Sequence, residues 1–185
     1  VKDHVTSVKP GGILRTDKEP WGVAVDSEQA RIFVPQGSGK KISVFRPTSR
    51  WVHTGDWTLD GINVPFFGAT LDSQHRIWAF YALGNDGIVN RVAVFDHNGK
   101  VVINRAFDGN YAGLGQMVAT REHVYVACAD SQTLVKFDMD ARVRDSLAFP
   151  GGQPYGPALS ANKSSLYVGV KRGRKVYDAV YQVKI

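Results

Sequence analysis

Apolar residues along this chain come in short bursts rather than at helical spacing. Four bursts stand at the same place in successive stretches: Arg31-Ile32-Phe33-Val34, Arg76-Ile77-Trp78-Ala79, His123-Val124-Tyr125-Val126 and Ser165-Leu166-Tyr167-Val168. A second burst follows each, at Ile42 to Phe45, Val92 to Phe95, Leu134 to Phe137 and Ala179 to Val183. Polar turn clusters such as Asp96-His97-Asn98-Gly99 separate them. Brief runs rich in Val, Ile, Phe, Tyr and Trp, bounded by turn residues, predict antiparallel strands joined by hairpins. No segment keeps apolar residues at a helical period. Alternation along the first set of bursts points to Ile32, Val34, Ile77, Val124, Val126, Leu166 and Val168 as core positions.

Ahead of each first burst lies a shorter one built around a glycine. These are Pro20-Trp21-Gly22-Val23-Ala24-Val25-Asp26, Phe66-Phe67-Gly68-Ala69-Thr70-Leu71-Asp72, Gly113-Leu114-Gly115-Gln116-Met117-Val118-Ala119 and Pro154-Tyr155-Gly156-Pro157-Ala158-Leu159-Ser160. Three repeats end on a further run: Trp51 to Leu59, Val101 to Phe107 and Val143 to Phe149. A unit of about 40–50 residues holding four strands is one blade of a β-propeller. The chain of 185 residues thus reads as an all-β, single-domain propeller of four four-stranded blades. The blades are expected at about 20–60, 64–108, 113–150 and 154–185. The last repeat stops after its third strand, and Gly12-Ile13-Leu14-Arg15-Thr16 reads as a spare strand. Residues 11–16 are therefore expected to complete the last blade, which closes the ring and protects its edges. The strand count would be sixteen. A complete four-bladed ring, half of a two-chain ring and part of a longer polypeptide all fit this period.

The residues quoted above resemble the NHL repeat, through Pro-aromatic-Gly-Val-Ala-Val-Asp, then Arg-Ile-Phe-Val, then Val92-Ala93-Val94-Phe95-Asp96-His97-Asn98-Gly99-Lys100. The second repeat fits best. Arg46 stands where the first repeat would carry Asp after Phe45, Ala119 replaces the first Asp of the third repeat, and Ser160 replaces that of the fourth. The resemblance implies a propeller, commonly of six blades, and permits RNA binding. Some members of this wider group are lyases or metal-dependent hydrolases.

Binding sites on propellers are expected on the face carrying the loops that enter the first strands and the loops between second and third strands, since loops on a rigid scaffold carry function. That face should present Trp21, Phe67, Leu114 and Tyr155, just before the repeat glycines. It should also present Lys40, Lys41, Lys171, Arg172, Arg174 and Lys175. Ring closure would place these six basic residues side by side. The net charge of +6, from 23 basic and 17 acidic residues, favours an acidic partner.

Chemistry of other kinds has little to stand on. His4, His53, His75, His97 and His123 show no metal-ligand spacing. Gly37-Ser38-Gly39-Lys40-Lys41 lacks both the spacing and the following helix of a phosphate loop. Asp26 and Asp72 end their strands, where turn-stabilising carboxylates belong. Cys128 reads as a small buried hydrophobe. No run reaches the length of a membrane span, and no cofactor is called for. The leading expectation is a non-catalytic module that binds a protein or sits in a larger assembly. Binding of RNA or another polyanion through the basic loops is the alternative, and a propeller lyase or hydrolase the second.

Overall fold

A computed structural model describes residues 16, 18–47, 51–83, 89–107, 111, 115–173 and 177–185. Fifteen strands form four separate antiparallel sheets, each a run of consecutive strands. Blade 1 holds β1 (Ala24–Asp26), β2 (Arg31–Gln36), β3 (Lys41–Pro47) and β4 (Trp51–Trp57). Blade 2 holds β5 (Phe66–Leu71), β6 (Ile77–Ala82), β7 (Val89–Phe95) and β8 (Val101–Ala106). Blade 3 holds β9 (Gln116–Ala119), β10 (His123–Cys128), β11 (Thr133–Asp138) and β12 (Val143–Ala148). Blade 4 holds β13 (Gln153–Leu159), β14 (Ser165–Lys171) and β15 (Tyr177–Lys184). The strand expected within residues 11–16 lies outside the described residues except for Thr16.

Hydrophobic clusters join the blades in sequence. Phe33, Ile42 and Val44 of blade 1 pack on Phe66, Ile77, Tyr81 and Phe95 of blade 2. The other face of blade 2, with Trp78, Phe80, Val92 and Val94, packs on Val124, Val126, Val135 and Phe137 of blade 3. Tyr125, Ala127 and Leu134 then meet Leu166, Val168 and Val170 of blade 4. Among the described residues no cluster joins blade 4 to blade 1.

The repeat glycines mark where the innermost strands crowd together. A Cβ on Gly68, whose φ is +70°, would collide with the carbonyl oxygen of Gly115, and one on Gly22 would lie 3.5 Å from the Cα of Gly68. Any side chain at Gly68 would push blades 2 and 3 apart at the centre.

Six of the seven expected core residues are buried: Val34, Ile77, Val124, Val126, Leu166 and Val168. Ile32 is half-buried. It pairs with Val25 and Phe45, on the face of blade 1 turned away from blade 2, and Val25 on that face is itself 57% exposed. Cys128 is buried in the cluster between blades 2 and 3. Burial pushes its thiol up to about 12, so it stays a protonated packing residue.

Candidate binding face

The loop entering β1 is held by the end of β2. Pro20 bridges Gln36, the Trp21 amide donates to the Pro35 carbonyl at 3.0 Å, and the Gly37 amide donates to the Glu19 carbonyl at 3.1 Å. The Trp21 indole packs against Gly37, where a Cβ would strike it. It meets Phe67 of the next blade at 5.8 Å between ring centroids, at 72°. Together these rings wall a cleft of about 380 Å³ between blades 1 and 2. Val64 and Pro65, which lead into β5, add apolar surface, and Glu19, Ser38, Lys40 and Asn63 supply its polar groups.

Three expected site residues, Trp21, Phe67 and Lys40, therefore line one cleft. Lys41 does not join them. Its Nζ pairs with Asp56 Oδ2 at 2.8 Å, within a network that also takes in Ser43 Oγ at 2.6 Å and His53 Nε2 at 2.8 Å. Burial alone would raise the Asp56 carboxyl; the hydrogen bonds from Lys41, Ser43 and His53 and the charge of His53 together lower it to about 2.

Tyr155 sits on β13, with its hydroxyl 3.3 Å from Gln153 Oε1. Lys171 ends β14, and Arg172 donates to the Tyr181 hydroxyl at 2.8 Å. Arg174, Lys175 and Leu114 lie outside the described residues. The expected block of six neighbouring basic residues thus rests in part on residues outside the described ones. Sequence reading missed Glu19, Asn63, Val64 and Pro65. Aligning the entry loops by repeat would have found them, because Asn63-Val64-Pro65 precedes Phe67 much as Glu19-Pro20 precedes Trp21.

On the opposite face the strand-ending carboxylates act between blades. Asp26 pairs with Arg31 at 3.0 Å, and Arg31 Nη1 reaches across to the His97 carbonyl at 2.6 Å. Blade 2 repeats the device one blade on. Asp72 accepts from Arg76 Nε and from Trp78 Nε1, each at 2.8 Å, and Arg76 Nη2 donates to the Met139 carbonyl at 3.0 Å. Burial would raise the Asp26 carboxyl, but the Gln29 amide, Arg31 and His75 hold it below its ordinary value. In the third repeat Ala119 and His123 occupy these two positions, and the Thr120 hydroxyl takes over the turn, accepting the His123 amide at 3.0 Å. Asp26 and Asp72 thus stabilise turns, as their positions in the sequence suggest. Among the described residues, no three His, Cys, Asp or Glu side chains gather as metal ligands would.

No family model matches the chain, and no curated protein sequence matches it. Solved structures do match. Hydrazine synthase of Kuenenia stuttgartiensis superposes with a TM-score of 0.71 at 13% identity, over 96% of this chain and 49% of that one. Virginiamycin B lyase of Staphylococcus aureus gives 0.64 at 14% identity, over 92% of this chain and 57% of that one. A catalytically inactive histidine-to-alanine form of the same lyase, with quinupristin, gives 0.63 at 14% identity, over 94% and 58%. At such identities the likeness shows the fold alone, a β-propeller, because fold does not carry function with it. The chain spans about half the length of these neighbours.

Proposed function

We propose that this propeller is a non-catalytic binding module, built from NHL-like repeats in one domain, that holds a protein partner through the cleft between blades 1 and 2. The carrying observation is the cleft itself. Two aromatic rings fixed by backbone hydrogen bonds stand beside Val64 and Pro65, with a lysine, a glutamate and an asparagine among the lining groups. An apolar floor with a few placed polar groups suits an extended peptide that buries one side chain. Rigid anchors already in place lose little entropy on binding. The basic loops support polyanion binding less well, because Lys41 and Arg172 already have protein partners.

Panning a random peptide library on the folded chain tests this reading. Selected peptides should share an apolar anchor beside a carboxylate that meets Lys40. Phe67→Ala should weaken them by about tenfold or more, as removal of an interface anchor does, and Lys40→Glu should weaken them while leaving heat stability unchanged. Peptides that bind both variants as tightly as the parent would remove the cleft from consideration.

A further inference from the structure

A second hollow lies between blades 1 and 2, at their outer part and on the face opposite the cleft. Its volume is about 500 Å³. Arg31, Arg46, Thr54, His97 and Asn98 line it around one wall of Trp57, and among the described residues no carboxylate does. The nearby acids are engaged elsewhere. Asp26 is fully buried behind Arg31, and Asp96 accepts the Asn98 and Lys100 amides of its own turn, at 2.8 and 2.9 Å.

Arg31 is a charged side chain 4% exposed. It spans Asp26 and the His97 carbonyl, and its Nε–H is buried without a partner among the described residues. A guanidinium carries five N–H donors; Asp26 balances the charge of Arg31, which therefore contributes donor capacity rather than net charge at the back of the hollow. Arg46 stands exposed at the end of β3, with no acid paired to it among the described residues. Gly55 keeps the floor open, since a Cβ there would meet nothing within 4 Å.

From this arrangement we infer an oxyanion site: the groove between Arg46, Arg31 and the His97-Asn98 turn receives a phosphate-type group. The Thr54 hydroxyl already donates to the Val44 carbonyl at 3.2 Å and the Asn98 amide to Asp96, so the group left to meet a tetrahedral oxyanion is the Arg46 guanidinium, whose fork matches its geometry. The hollow is larger than the ion alone, and Trp57, which packs on Phe33 and Phe95, lines it with apolar surface for the organic part of a phosphate ester. This inference rests on the groove and not on the peptide cleft, which shares no lining residue with it.

Amide NMR titration with inorganic phosphate, against chloride at constant ionic strength, provides the test. Saturable shifts should centre on Arg46, Thr54, His97 and Asn98. Arg46→Ala should weaken binding by about tenfold, the loss of one charge-assisted contact, and the exposed Arg142→Ala on blade 3 should leave it unchanged. Phenyl phosphate in place of phosphate distinguishes the source: tighter binding that Trp57→Leu abolishes marks an ester site, and equal binding marks a site for the free ion. Shifts that are scattered over all basic residues without saturation, or an Arg46→Ala variant that titrates like the parent, would overturn the assignment.

Discussion

Blades 2 and 4 are built from the same repeat and differ in what they touch. The second strand of blade 2, β6, is buried at all six positions, Ile77 through Ala82. Its counterpart in blade 4, β14, buries Leu166, Val168 and Val170 but leaves Tyr167 41% exposed and Gly169 half-buried. Val180 on β15, opposite Gly169, is 70% exposed. A blade flanked on both sides has two core faces and needs apolar residues at every position, as buried sheets do. Among the described residues blade 4 is flanked on one side, by blade 3, which gives it a core face and an open one. The comparison teaches that a propeller's stability is lodged between blades rather than within them, as expected of a repeat architecture.

The strongest way to break this picture is to charge an inter-blade face. Val126→Asp puts an unpaired carboxylate between blades 2 and 3, where Val126 is 1% exposed. The cost is several kcal/mol, and the variant should be recovered only as unfolded or aggregated protein. A soluble variant with the parent's circular dichroism would show that this interface is not what holds the blades together.

Truncations sharpen the contrast. Phe80 lies in the cluster between blades 2 and 3, against Phe107 and Phe137, and Phe80→Ala should lower unfolding free energy by about 3–5 kcal/mol. Tyr167→Ala on the open face of blade 4 should change it by about 0.5 kcal/mol or less. Urea midpoints at constant slope would measure both. Similar losses at the two sites would mean that the open face of blade 4 is covered in solution.

The turns offer a smaller version of the same comparison. Asp72→Ala leaves the buried Trp78 indole N–H and Arg76 without their acceptor, which should cost about 3 kcal/mol. In blade 4 the hydroxyl of the equivalent Ser160 accepts the Ser165 amide at 3.0 Å and donates to Asn162 Oδ1. Ser160→Ala should cost about 1 kcal/mol. Thermal unfolding of the pair orders them, and a reversed order would mean that the inter-blade latch contributes nothing.

Acid should act on blades 1 to 3 first. Among the described residues, the carboxylates held below their ordinary value are Asp26, Asp56, Asp96 and Asp138, all in those blades. A carboxyl whose pKa is depressed in the folded state stabilises it fully above the ordinary value and ceases to do so as pH falls through the folded value. For Asp56 that window runs from 3.8 down to about 2. Stability should therefore fall across it, with a shallower fall in Asp56→Asn. Hydrogen exchange should rise in β3 and β4 before β14. An unchanged slope in Asp56→Asn would show that its network is already broken in the native protein.

Much of the fold was legible in the bursts of apolar residues. The four blades, the inner strands that begin at the repeat glycines, and the outer strands Trp51–Trp57, Val101–Ala106 and Val143–Ala148 follow from local pattern and turn chemistry. Ile32 was misjudged because alternation treats a strand face as uniform: Val34 and Phe45 on its face are buried, whereas its partner on β1, Val25, is 57% exposed. The candidate cleft was half legible. Trp21, Phe67 and Lys40 stood out as aromatic or basic loop residues, whereas Glu19 and Asn63 are marked only by their place in the entry loops, which shows when the repeats are aligned one residue further back. The Arg31–Arg46–His97 groove was hidden, since its residues come from two blades and three different turns or strands.

What the sequence by itself determined is therefore the unit and its count: short strands, hairpin turns and a glycine at each crowded inner edge, all set by interactions within some forty residues. Tertiary structure alone decided which faces became core and which polar groups met, because those depend on the blade next door. Arg31 shows this most clearly. Its pairing with Asp26 is local to one turn, but its bond to the His97 carbonyl exists only where blade 2 packs against blade 1, and no pattern within one repeat encodes that contact.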